Sequence, residues 1–146
     1  WMSISAMSCT ARLLANVLQV GPPRMCWDEL HILAAGDRSE PIVFDAQRWL
    51  VETERSQPGV RLTHDWHSTS DSIAARLARV LNADELVLLK STELPAGSDW
   101  CVAADQGFVD EHFHRLAAEL PGVRWVNLRQ LETHAAAEKR PLIDAT

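Results

Sequence analysis

The chain has 146 residues and a mass of 16.3 kDa, a length that fits one ordinary domain able to fold without disulfides or metal. Hydrophobic residues make up 47% and charged residues 23%, which excludes a disordered or fibrous chain. Fourteen Lys and Arg against 20 Asp and Glu leave a net charge of −6, which argues against a general nucleic-acid binder; an anionic small ligand can still be held by local N–H groups and a few cations.

The predicted elements run as follows. Ile4, Met7, Ala11, Leu14, Ala15 and Leu18 recur at helical spacing, and Gly21-Pro22-Pro23 ends that helix. Residues 24–40 are mixed, with a turn at Gly36-Asp37. The apolar run 42–44 reads as a buried strand, and Asp45 as the cap of a helix whose apolar face includes Trp49 and Leu50. A loop at Ser56-Gln57-Pro58-Gly59 leads into an extended segment over 60–66. The hydroxyl-rich stretch Ser68-Thr69-Ser70-Asp71-Ser72 opens an amphipathic helix over 70–82, stopped by Asn82-Ala83-Asp84. The run 85–90 has the composition of a buried parallel strand, and 91–107 read as a long polar loop. Val109, Phe113, Leu116, Ala117 and Leu120 mark a further helix with Asp110 as its N-cap. A last strand over 123–127 and a short helix over 128–134 precede a polar tail, 138–146. Strand and helix alternate, which predicts an α/β fold with a mostly parallel sheet of three strands (42–44, 85–89, 123–126) and helices on both faces.

Cys9, Cys26 and Cys101 are widely spaced and odd in number, so they read as buried free thiols of a reducing cytoplasm. No apolar run approaches the ~20 residues of a membrane span, and the first 18 residues lack the pattern of a signal peptide. The histidine pairs His64/His67 and His112/His114 lack the surroundings of a zinc site, and none of the common hydrolase, P-loop or dinucleotide signatures is present.

Ligands of open α/β sheets sit at the carboxyl ends of strands. Two loops fit that description, 67–72 and 90–107. The first offers Thr69, Ser70 and Ser72 hydroxyls, the Asp71 carboxylate and the N–H groups of a helix start, which attract a phosphate or carboxylate. The same composition also fits plain capping by Ser68 or Thr69. Lys90, directly after four apolar residues, can reach a bound phosphate as a mobile charge or can simply be an exposed loop lysine.

The segment from His64 through Trp66, Thr69-Ser70-Asp71-Ser72 and Ile73-Ala74-Ala75-Arg76-Leu77-Ala78, followed by Leu86-Val87-Leu88-Leu89-Lys90-Ser91, resembles the amino-acid kinase superfamily. Trp66 ahead of the hydroxyl-rich loop, Val109-Asp110-Glu111-His112-Phe113 after the long loop, and the front helix are most similar to the branch that phosphorylates an aminomethylfuran phosphate for methanofuran-type cofactors. The resemblance covers 1–129. The family's Lys-x-Gly-Gly-Ser loop and later Gly-Gly loop have no counterpart, and Ser91-Thr92-Glu93-Leu94-Pro95 replaces its usual Asp-Val-Asp-Gly-Val-Tyr.

The resemblance implies a three-layer, carbamate-kinase-like fold lacking its N-terminal part, with residues 1–137 as the carboxyl-terminal portion of one domain. It implies a cytoplasmic, ATP-dependent small-molecule kinase using Mg²⁺ and acting on a phosphate or carboxylate acceptor, with no nucleic-acid or membrane partner and expected as a homo-oligomer. Asp71 would organise the catalytic cations, and Thr69, Ser70 and Ser72 would line the acceptor site. Lys90, Ser91 and Asp110 would lie on the nucleotide side; no protein metal site is expected. The chain alone is expected to be inactive. The rival expectation is a non-catalytic α/β module, associating through Trp1, Trp27 and Trp49 if these are exposed.

Overall fold

The computed structural model describes residues 2–34, 36, 40–63, 65 and 67–130. Trp1, His64, Trp66, His134, most of the turn at Gly36-Asp37 and the tail 138–146 lie outside, wholly or in part, what it describes. The chain divides into two compact units, Trp1–Leu62 and Thr63–Thr146.

The first unit holds helices α1 (Met2–Leu18), α2 (Trp27–Ala34) and α3 (Gln47–Glu52), with a 3-10 turn over Glu54–Ser56. α1 ends before the Gly-Pro-Pro stretch expected to stop it. Gln19 turns left-handed at φ 56°, its N–H donates to the Asn16 carbonyl at 3.2 Å, and the Val20 N–H donates to the Ala15 carbonyl at 3.3 Å. That is a Schellman ending, and Val20 packs back onto Ala11, Ala15 and Val43 as such endings require. The expected strand at 42–44 is reduced to one isolated parallel bridge, Arg24 with Phe44. It consists of Arg24 N–H donating to Val43 O and Asp45 N–H to Arg24 O, each at 2.8 Å. Pro41 before the run has no N–H to extend the ladder. α2 lies in the segment read as mixed. Trp49 is buried and stacks on Trp27 with ring centroids 5.7 Å apart, so it is a core residue here and not an exposed association residue. Asp45 does act at the start of α3, accepting from the Gln47 N–H at 3.1 Å.

The second unit contains α4 (Ser70–Val80), β1 (Leu86–Lys90), α5 (Trp100–Asp105), α6 (Phe113–Ala117) and β2 (Val123–Asn127). β1 and β2 run parallel, in register from Leu86 opposite Val123 to Lys90 opposite Asn127. The fold is therefore α/β, and the regular sheet among the described residues is this parallel pair. α4 buries Ser72, Ile73, Ala75, Arg76 and Ala78, the spacing of one helical face. It ends as the sequence implied: Asn82 is left-handed at φ 52°, and Ala83 N–H donates to Ala78 O at 2.9 Å.

Four expectations need correction. The polar loop 91–107 contains α5, because Asp99 caps it by accepting from the Val102 N–H at 2.8 Å. Trp100 of α5 packs edge-on against the fully buried Phe113 at 5.2 Å. The helix expected over 109–120 shortens to α6, whose cap position is His112, and Asp110 serves another element. Residues 60–63 form no strand. All three cysteines are free, but they are exposed and not buried, since each lies on an outward position. No helix among the described residues is long and apolar enough to cross a membrane.

Candidate functional site

The parallel register puts Leu88, Lys90, Trp125 and Asn127 on one face, with Lys90 and Asn127 at the carboxyl end of the strands. α4 starts beside that end. Its first-turn residue Asp71 reaches Lys90: Asp71 Oδ2 lies 2.7 Å from Lys90 Nζ, the length of a charge-assisted hydrogen bond. Both side chains are largely withdrawn from water, with 13% of Asp71 and 23% of Lys90 exposed, so the pair is screened less than a surface pair. Lys90 Nζ also donates to the Phe108 carbonyl at 3.0 Å and stands 5.5 Å from the centre of the Trp125 ring. Trp125 is held in turn, its Nε1–H donating to Thr92 O at 2.8 Å and Phe108 meeting its ring edge-on. Asn127 donates to Glu93 Oε1 at 2.7 Å on the same rim.

A second knot lies at the start of α4. Asp110 Oδ2 accepts from the Thr69 N–H at 3.0 Å, the Thr69 hydroxyl at 2.9 Å and the Ser72 N–H at 2.9 Å. Its Oδ1 accepts from the Ser72 hydroxyl and from the His112 N–H. The helix cap is thus supplied from about 40 residues away in sequence, and neither Ser68 nor Thr69 caps with its own side chain. Burial works against the charged carboxyl of Asp110, yet the hydrogen bonds from Ser72 and Thr69 outweigh it and hold its pKa below the ordinary value of 3.8. The anion at this helix start is the chain's own.

Beyond that knot, His67 Nδ1 lies 2.9 Å from Glu111 Oε2, and His112 Nε2 lies 3.3 Å from Asp65 Oδ2. Asp65 is likewise held below its ordinary value: partial desolvation opposes the charge, but the His67 N–H and the His112 ring favour it more.

Of the residues picked out from the sequence, Asp71 and Lys90 meet each other, and Thr69, Ser72 and Asp110 meet each other. Ser70 and Ser91 are exposed at the ends of α4 and β1, and among the described residues neither hydrogen-bonds to the Asp71–Lys90 pair. Sequence reasoning missed Trp125 and the Phe108 carbonyl. The period of two in β2, set against Lys90 in β1, was the available signal for Trp125; a backbone carbonyl carries no sequence signal at all. Among the described residues no group of three or more His, Cys, Asp or Glu side chains is arranged to hold a metal ion.

The site therefore defines an α/β unit with a charged pair at the carboxyl end of a parallel strand. No family model, no curated protein and no solved structure matches this chain.

Proposed function

We propose that the chain belongs to an ATP-dependent small-molecule phosphotransferase of the amino-acid kinase kind, with Lys90 and Asp71 at its centre. The observation that carries this reading is the Asp71–Lys90 pair, 2.7 Å apart at the carboxyl end of β1 and helped by the start of α4. Phosphoryl transfer asks little covalent chemistry of a protein; it asks for positioned charge. Lys90, a compact cation on a flexible stem, is held at the strand end by Asp71 and Phe108 O until a phosphate oxygen competes for it. The Trp125 ring, its centre 5.5 Å from Nζ, offers the ammonium a further favourable contact at that position. Ser70 and Ser91, both exposed, would donate to the acceptor and to the nucleotide respectively.

Mg²⁺ on the nucleotide phosphates would lower the barrier by neutralising developing charge, and commonly needs only one or two protein carboxylates. Asp71 suits that task, because Lys90 engages one of its two oxygens. Asp110 does not, because donors from Thr69, Ser72 and His112 already occupy both of its oxygens.

The same saturation favours a second reading, a module that binds a phosphorylated ligand without turnover, since the Thr69 and Ser72 donors at the start of α4 are withdrawn from a transferring group. One experiment addresses both. Mg·ATP and tripolyphosphate are titrated calorimetrically into the chain and into Lys90→Met, and ADP release is followed with a panel of small phosphate and carboxylate acceptors. Binding that falls at least ~10-fold in Lys90→Met, with acceptor-dependent ADP release, supports the kinase reading. Lys90-dependent binding in which tripolyphosphate without Mg²⁺ is held as tightly as Mg·ATP, with no ADP release, supports the module. Equal affinity in both proteins overturns both.

A further inference from the structure

We propose that Asp110 is a positioning residue: it sets the Asp71–Lys90 pair from both sides and contacts no ligand itself. Three observations join to carry this.

The first is capacity. An ionised carboxylate offers about four lone-pair sites. Asp110 receives five donors, the N–H and hydroxyl of both Thr69 and Ser72 and the N–H of His112. A nucleotide hydroxyl or a metal ion would have to displace one of them.

The second is where those donors sit. Thr69 is the N-cap of α4 and Ser72 the third residue of its first turn, so they flank Asp71 on both sides. Pinning both fixes the backbone of Asp71 and with it the arc its carboxylate can sweep. Lys90 lies at the end of that arc, 2.7 Å away.

The third is the other partner. Phe108, two residues before Asp110, accepts from Lys90 Nζ through its carbonyl at 3.0 Å. That carbonyl is itself placed by the end of α5. Gly107 is left-handed at φ 74°, a conformation a side chain rarely adopts, and the Phe108 N–H closes back onto Ala103 O at 2.9 Å. One short segment, 108–110, therefore grips Lys90 with a carbonyl and the helix bearing Asp71 with a carboxylate. If Asp110 lets go, α4 and Phe108 lose their common reference and the pair loosens.

Only the importance of the pair rests on the proposed function; the positional claim does not, and its test needs no turnover. The sequence contains two lysines, Lys90 and Lys139. Limited acetylation of the full chain with an N-hydroxysuccinimide ester, followed by peptide mass spectrometry, yields the labelling ratio of Lys90 to Lys139. Asp110→Ala is expected to raise that ratio at least fivefold. Asp110→Asn, which keeps one acceptor oxygen, is expected to raise it by less. Ala74→Gly serves as control, because it weakens α4 from its middle without touching the donors to Asp110; its ratio is expected to stay within twofold of the parent. Should Asp110→Ala fail to fold, Ser72→Ala removes one of the five donors and is expected to raise the ratio two- to threefold. A ratio unchanged in Asp110→Ala (or, where that variant does not fold, in Ser72→Ala), or raised as much by Ala74→Gly, overturns the proposal and leaves Asp110 as a helix cap alone. Absence of ADP release from the parent chain bears on the proposed function and leaves this ratio untouched.

Discussion

Each unit of the molecule is tied together by one aspartate, and the two aspartates do different work. Asp45 in the first unit is almost fully buried; it accepts from the Ser8 hydroxyl at 2.8 Å, 37 residues away, and from the Gln47 N–H. Around it lie α1, the Arg24–Phe44 bridge and the apolar cluster of Ala11, Ala15 and Val43. The side-chain hydrogen bonds of Asp45 go to Ser8 of α1 and to the Gln47 N–H, and so join α1 to the start of α3. Asp110 in the second unit is half-buried and makes a comparable join over a comparable distance in sequence, but its knot stands next to a cation. The same device, a carboxylate accepting from hydroxyls and helix-start amides, is structural where apolar groups surround it and positioning where a charged pair depends on the helix it caps.

Substitutions at the two positions should therefore separate stability from site geometry. Asp45→Ala removes the buried charged acceptor shared by the Ser8 hydroxyl and the Gln47 N–H, although Gln47 Oε1 stays 2.9 Å from that hydroxyl, and is expected to cost about 1–3 kcal/mol by urea denaturation. Its Lys90 labelling ratio is expected to match the parent. Asp110→Ala removes a cap whose N–H groups water can partly reach, and is expected to cost about 0.5–2 kcal/mol, while shifting the Lys90 ratio. A larger stability loss at Asp110 than at Asp45 would break the comparison.

Acid sharpens it further. The carboxyl of Asp110 is held below its ordinary 3.8, so in the acid range the unfolded chain binds more protons than the folded one. Stability from this group is present above about pH 4 and is lost as the pH falls through the lowered folded value. The gap between parent and Asp110→Ala, measured by urea denaturation from pH 6 down to pH 2.5, is expected to narrow on acidification. A gap that stays constant to pH 2.5 would show that the carboxyl is not charged in the folded chain.

The smallest effect belongs to an ion pair that joins the strands from outside. Arg124 grips both oxygens of Glu85 at 3.0 to 3.1 Å, yet both side chains are exposed. Arg124→Ala is expected to lower stability less than Asp110→Ala does, and the loss should shrink in 1 M salt. A loss exceeding that of Asp110→Ala would mean that surface charge, and not the inter-segment cap, governs this unit.

What was legible in the sequence follows the range of each signal. Helices over 2–18 and 70–80, the apolar runs that become β1 and β2, and the stop at Asn82 rest on contacts within one or two turns of chain, which composition and period encode directly. So does the placing of Asp71 on a helix start and Lys90 on a strand end. α2 and α5 escaped because they are short, and because α5 carries its cap at Asp99 inside a stretch that otherwise reads as polar loop. The run 42–44 looked like a strand because apolarity shows burial and not partnership; among the described residues its bridge partner is Arg24.

By itself, then, the sequence determined the helices over 2–18 and 70–80, the extended runs of β1 and β2, and the charges that stand at the ends of α4 and β1. Tertiary structure alone decided that Asp110 caps α4 and not its own helix, that Asp71 and Lys90 form an ion pair, and that Trp125 and the Phe108 carbonyl complete it. The physical reason lies in the hydrogen bond. A carboxylate satisfies any well-placed N–H or O–H with equal chemistry, whether three residues away or 41. Only the packing of α6 on α4 and of α4 on β1 brings the distant donors within 3 Å, and nothing local to either segment distinguishes that partner from a nearer one.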